Sequence, residues 1–189
     1  MKRLAVYCGS SMGSDPAFAE TARALGEEMA RRGIGLVYGG GRLGLMGVVA
    51  DAVLANGGEA YGVIPQALVD LEVAHIGLTE LHLVNTMHER KAMMTELTDA
   101  FLAIPGGIGT LDELFEAWTW YALGYHAKPF ALLNVHGFWD GLTGFMDHVQ
   151  QSGFLSPSRR GQLLVADDIG EAIDRLDAAI GAAEPKMIW

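Results

Sequence analysis

The run Pro105-Gly106-Gly107-Ile108-Gly109-Thr110-Leu111-Asp112-Glu113 sets three glycines beside a carboxylate. Glycines permit close backbone approach and positive φ. Bare N–H groups at the start of a helix attract an anion without any side chain. Glu113 has an ordinary structural role open to it: Thr110 is placed to cap the following helix, and a Glu three residues on fits a capping box. Its position argues for more. A strand is expected to end at Pro105, which puts Glu113 at the carboxyl edge of a sheet, where open α/β folds bind ligands. A carboxylate beside an anion-binding loop needs a task or a cation. The nearest candidate cations are Arg90 and Lys91, in Met87-His88-Glu89-Arg90-Lys91. They open the preceding helix, where the dipole disfavours positive charge. Two awkwardly placed sets of opposite charge at one sheet edge point to a site rather than to two solvated helix faces.

A second glycine loop lies upstream. Gly39-x-Gly41-x-x-Gly44 has the letters of the dinucleotide fingerprint, follows a strand and opens a helix. It follows the second strand, however, not the first. Glu59, the acid spaced to hold a ribose, begins the next strand instead of ending it. An NAD(P) oxidoreductase is therefore the weaker reading, and a plain strand-to-helix turn is a stronger one. The reading adopted is a phosphate or ribose contact at Gly40 and Gly41. The chain has no Gly-Lys-Ser/Thr, which disfavours a P-loop kinase or NTPase.

Short apolar runs alternate with helical patterns and supply the elements that must position these groups. Strands are expected at 4–8, 34–38, 59–64, 81–84, 100–104, 130–134 and 163–166. Helices are expected from Asp15-Pro16 to Gly33, and at 45–56, 87–97, 110–123, 138–151 and 169–180. Residues 66–79 have no clean period and are read as a long functional loop with a short helix. Strands that are apolar throughout suit a parallel sheet buried on both faces. The expected fold is α/β, a single-domain Rossmann-like doubly wound parallel sheet with helices on both faces, spanning 1–189. The tail 184–189, ending Met-Ile-Trp, is expected to pack on the body or on a second subunit.

Composition narrows the partners. Lys and Arg number 13 against 23 Asp and Glu, a net charge of −10. That argues against nucleic acid but leaves a small anion open. Cys8 is the only cysteine, so no intrachain disulfide or cysteine metal cluster is expected, and Cys8 reads as packing. Histidines 75, 82, 88, 126, 136 and 148 show no H-x-x-x-H or H-E-x-x-H pattern, and no metal is expected. Trp118, Trp120 and Tyr121 read as core or subunit interface. No signal peptide and no apolar stretch of about 20 residues is seen, so the expected setting is the cytoplasm and not a membrane.

The paired motifs, Met87-His88-Glu89-Arg90-Lys91 followed by Pro105-Gly106-Gly107-x-Gly109-Thr110-x-x-Glu113, resemble the LOG (Lonely Guy) family. The likeness extends to Val6-Tyr7-Cys8-Gly9-Ser10-Ser11, to 39–47 and to Lys128-Pro129. Members are cytokinin riboside 5′-monophosphate phosphoribohydrolases and bacterial AMP-cleaving relatives. They have often carried the label "possible lysine decarboxylase", which this sequence does not support, since no pyridoxal-phosphate lysine site can be argued. The resemblance implies a homodimer, no cofactor, and Arg90 with Glu113 as the catalytic pair. It implies nucleotide contacts at Glu72, Arg90, Lys91, the run Gly107, Ile108, Gly109, Thr110, Leu111, Asp112 and Glu113, and Thr119. Gly9, Ser10, Gly40, Gly41 and Gly106 complete the candidate contacts. Ile108 stands where the family often has Tyr or Phe, and Val73-Ala74-His75 departs from plant-like members.

The chemistry so implied is hydrolysis of the N-glycosidic bond of a purine nucleoside 5′-monophosphate, with a cytokinin-type N6-substituted adenine as the base. Such cleavage builds positive charge on the ribose. A carboxylate near C1′ stabilises that charge and orients or deprotonates a water. Arg90 would hold the phosphate or ribose, or tune Glu113. The alternatives are a general AMP nucleosidase and, in another class, a non-catalytic nucleotide-binding or carrier module.

Overall fold

Alternation along the first strand divides its side chains between two cores. In β1 (Arg3–Tyr7), Leu4 and Val6 face one apolar cluster, and Ala5 and Tyr7 face another. Side chains of a strand alternate faces, so a strand with both sets apolar must be covered twice. The computed structural model describes residues 1–69 and 74–181, and both coverings are present.

On one face lie α1 (Pro16–Arg31), α2 (Gly44–Ala55) and α7 (Ile169–Ala179). On the other lie α3 (Met87–Leu97), α4 (Ile108–Ala122) and α5 (Asp140–Gln151). Between them run β1, β2 (Gly35–Tyr38), β3 (Ala60–Pro65), β4 (Glu80–Val84), β5 (Ala100–Ala103), β6 (Phe130–Leu133) and β7 (Leu163–Ala166). All pair in parallel, in the order β4-β3-β2-β1-β5-β6-β7. The expected doubly wound sheet is therefore observed, as one unit around one sheet.

The helix signals act as physics requires. Asp15 caps α1, its carboxylate accepting from Ala17 N at 2.9 Å, with Pro16 in the first turn. Most boundaries fall within a residue or two of expectation. One short helix, α6 (Pro157–Arg160), was not expected; Ser156 caps it and Pro157 starts it. The unperiodic loop opens with a 3₁₀ turn over Gln66–Leu68. The expectations for Glu72 and for the tail 184–189 lie outside the described residues. Among the described residues, no helix is long and apolar enough to cross a membrane.

The winding reverses between β1 and β5. The chain steps outward from β1 to β4, then returns to the other side of β1. The loops after β1 and β5 must diverge there, and the crevice between them is where such sheets bind ligands.

Candidate active site

Three turns meet at that crevice. Gly9 N, just beyond β1, donates to Pro105 O at 3.1 Å, and Gly9 O accepts from Leu45 N at 3.0 Å. The first turn of α2 thus engages the β1 turn.

At α4 the structure corrects the expected cap. The cap is Gly107, in extended conformation and with no side-chain hydrogen bond, so the helix begins at Ile108. Thr110 is inside the first turn and buried. A Cβ on Gly106 would stand 2.1 Å from Thr110 Oγ1, so the glycine loop packs directly on that hydroxyl. Capping thus falls to Gly107 rather than Thr110, and Glu113 is no partner in a Thr110 capping box. At this turn Leu111 N donates to Gly107 O at 3.2 Å. The amides of Ile108, Gly109 and Thr110 therefore precede the intrahelical ladder, at the positive end of the helix.

A side-chain cap of this kind sits one helix earlier, with the glutamate reaching back to the residue before the cap. Thr86 Oγ1 accepts from Glu89 N at 3.1 Å, and Glu89 Oε2 accepts from Asn85 N at 2.8 Å. Arg90 then turns inward. It is 4% exposed, and its Nη2 donates to Gly39 O at 3.0 Å. A Cβ on Gly39 would lie 2.0 Å from that nitrogen, so glycine is required for the guanidinium to fit. Lys91 turns the other way, its Nζ 3.0 Å from Asp112 Oδ2 and 2.9 Å from Glu116 Oε2. Burial alone would lower the Lys91 ammonium, but its bonds to Glu116 and Asp112 outweigh that and leave it above its ordinary value.

These elements enclose a cleft of about 390 Å³, the size of a small-molecule site. Arg90 and Met87 from α3 line it with Gly107, Ile108, Gly109, Thr110, Asp112 and Glu113 from the α4 turn. Cys8, Gly9 and Ser10 after β1, Met46 of α2 and Leu68 complete the lining. The charge of Glu113 is felt by the groups beneath the cleft. Burial raises the Cys8 thiol well above its usual range and the charge of Glu113 raises it further; Tyr7 is raised by burial and then by Glu113 and Glu116. A carboxylate charge of this kind suits a group becoming cationic beside it. The amides ahead of Glu113 supply the opposite sign.

A family model described as "Possible lysine decarboxylase" matches residues 46–176. The cytokinin riboside 5′-monophosphate phosphoribohydrolase of Rhodococcoides fascians is 46% identical over 173 residues, covering 91% of this chain and 87% of that protein. Its namesake LOG from Oryza sativa is 43% identical over 188 residues, covering 100% and 78%. The chain belongs to the LOG family. Among solved structures, the molybdenum cofactor carrier protein of Chlamydomonas reinhardtii superimposes with a TM-score of 0.72 at 20% identity, over 94% of this chain and 97% of that one. At that identity the likeness concerns the fold alone.

Set against the LOG-derived expectations, the cleft gathers Arg90, Glu113, Gly9, Ser10, Gly107, Ile108, Gly109, Thr110 and Asp112. It does not gather the rest. Gly40 and Gly41 are buried and their backbone is engaged: Gly40 O accepts from His75 N at 2.9 Å, and Gly41 bridges to Ala74. The first glycine loop is thus a packed turn that seats Arg90. Gly106 lines a smaller neighbouring pocket of about 200 Å³. Lys91 is paired with Asp112, at the cleft's edge, and with Glu116, and Leu111 and Thr119 line a groove on the outer face of α4. Trp118 is core, as expected, while Trp120 is half-buried with its ring 5.8 Å from that of His88. Cys8, Met46, Leu68 and Met87 are lining residues not singled out as ligand contacts. Their apolar character is also what packing demands, so their types alone gave no signal.

Proposed function

We propose that this protein hydrolyses the C1′–N9 bond of a cytokinin-type purine riboside 5′-monophosphate, giving free base and ribose 5-phosphate. The observation that carries this is the meeting of Arg90 and Glu113 in one cleft beside the start of α4, where no side chain caps the helix. The 5′-phosphate takes the amides of Ile108, Gly109 and Thr110, where the helix end favours an anion. Glu113 lies one turn further along, about 6 Å from Gly109 along the helix axis. That sets a carboxylate beneath the ribose. As C1′–N9 breaks, Glu113 stabilises the charge on C1′ and orients the attacking water. The OH of water ends on C1′ and its proton on the departing base, so the reaction needs substrate and water alone. Arg90, always charged and held at Gly39, supplies positive charge to the bound anion and to Glu113. Binding at the phosphate fixes geometry at C1′. Met46, Leu68 and Met87 give the cleft an apolar wall, which favours an N6-alkyl adenine over adenine itself.

The whole chain acts as one nucleotide-binding hydrolase unit, and its partner is this small nucleotide rather than nucleic acid. A cytoplasmic setting suits its single free and buried thiol, Cys8. The proposal includes a homodimer. The outer face of α4 carries two grooves, of about 410 and 790 Å³, lined by Phe115, Leu123, Leu111 and Ile108. Thr119 lies in both, so a nucleotide contact from Thr119 is read as one made to a partner copy's cleft.

The test is release of base from N6-isopentenyladenosine 5′-monophosphate and from AMP, with Glu113→Ala alongside. Base from the first substrate in preference to AMP, and none from the variant, is the expected result. Equal rates on both would make it a general AMP nucleosidase. No base from either would move the reading to a non-catalytic nucleotide-binding module.

A further inference from the structure

The guanidinium of Arg90 is seated on a turn that is held from its other side as well. The turn Gly39-Gly40-Gly41 receives Arg90 Nη2 at Gly39 O, 3.0 Å away. From the loop ahead of β4, His75 N donates to Gly40 O at 2.9 Å, and Ala74 makes an antiparallel bridge with Gly41. The His75 ring carries this segment on to α2. Its Nε2 lies 3.0 Å from Asp51 Oδ1, and its Nδ1 lies 3.0 Å from Ile76 O. Both partners are oxygens that only accept, and a neutral imidazole donates from one nitrogen only. The ring fills both bonds when it carries both protons. Its side chain is 9% exposed, whereas that of Asp51 is 76% exposed. Tyr38, buried on β2, is the other titratable group tied to this corner: burial raises its phenol, and the charges of Asp51 and Cys8 raise it further.

A histidine with an exposed carboxylate partner contributes little to overall stability. What this pair does is local. It fastens residues 74–76 to α2, and those residues fasten the turn on which Arg90 rests. We propose that Asp51 and His75 are positioning residues that set Arg90 through the Gly39-Gly41 turn. This rests on the hydrolase reading above.

The discriminating measurement is a double-mutant cycle. His75→Ala and Asp51→Ala are each expected to lower kcat/KM roughly tenfold, the effect of a small misplacement of a positioned group. Melting temperatures should stay within a few degrees of wild type. In an Arg90→Lys background the loss from His75→Ala should shrink to less than about threefold, because coupled residues are non-additive. His75→Gln, whose side-chain amide still donates to Asp51, should recover most of the activity. Equal losses in both backgrounds would overturn the proposal and leave the pair a stabilising contact only. If the wild type releases no base at all, the hydrolase reading fails on its own. The latch is then read from amide hydrogen exchange, where Asp51→Ala should speed exchange at His75 about tenfold. An unchanged rate there would refute the latch itself.

Discussion

Gly39→Ala isolates what the seat of Arg90 contributes. Gly39 has no positive φ, so alanine meets no backbone strain there. Its Cβ would stand 2.0 Å from Arg90 Nη2 and 3.1 Å from Cζ. Ordinary contact needs about 3.4 Å, so the guanidinium must retreat by about 1.4 Å or rotate away. The bond to Gly39 O is lost in either case. Misplacing a catalytic group by about 1 Å costs up to about 100-fold, and a hydrogen bond from a charged group contributes about 1.5–3 kcal/mol. The expected loss in kcat/KM is therefore about 10- to 100-fold, or about 1.4–2.7 kcal/mol of transition-state stabilisation. Because the obstructing atom ends a flexible side chain, the fold should survive, with a melting temperature close to wild type. The assay is steady-state release of free base, with circular dichroism on the same preparations. Wild-type kcat/KM in a folded Gly39→Ala protein would refute the placement of Arg90 at this turn.

Other expectations follow from the same geometry. Glu113→Ala should lower kcat by about 100-fold or more if the carboxylate acts in the transition state, as single-turnover base release would show. Gly106→Ala puts a Cβ 2.1 Å from Thr110 Oγ1 and 2.9 Å from Gly9 N. It should cost about 1–3 kcal/mol, or roughly 2–12 °C in melting temperature by calorimetry. His126 is held down to about 4, first by burial and then by the charge of Lys128. The unfolded chain therefore takes up this proton before the folded one does. Stability from His126 is present above about pH 6.5 and is lost as pH falls towards 4. Melting temperature should decline across that window, and His126→Phe should flatten the decline.

The sheet was legible because its strands are apolar on both faces and its helices carry their own punctuation, as at Asp15-Pro16 and Gly33. The meeting of Arg90 and Glu113 in one cleft was legible because charge stood where the helix dipoles or an anion loop made it costly. Thr110 was misread because a T-x-x-E spacing occurs in two neighbouring helices. Only the backbone shows that Thr86 caps its helix through Glu89 N while Gly107 starts α4. The first glycine loop was only partly legible for a related reason. A glycine-rich turn tells that something approaches closely, but not whether it is a phosphate or a buried guanidinium. Lys91 shares Arg90's sequence neighbourhood, yet one residue of helix turns it by about 100°, from the seat at Gly39 to Asp112 and Glu116.

The insertion of β5 beside β1 sets an order on the chain's maturation. Leu4 pairs with Ala100, so the strand carrying the second glycine loop joins its neighbour after nearly a hundred intervening residues. A growing or refolding chain can assemble β1 to β4 with α1 and α2 and still lack every α4 group of the cleft. Distant pairings of this kind form late and slowly. Catalytic competence should return with the last cooperative step of refolding, so activity reports on completion of the whole sheet.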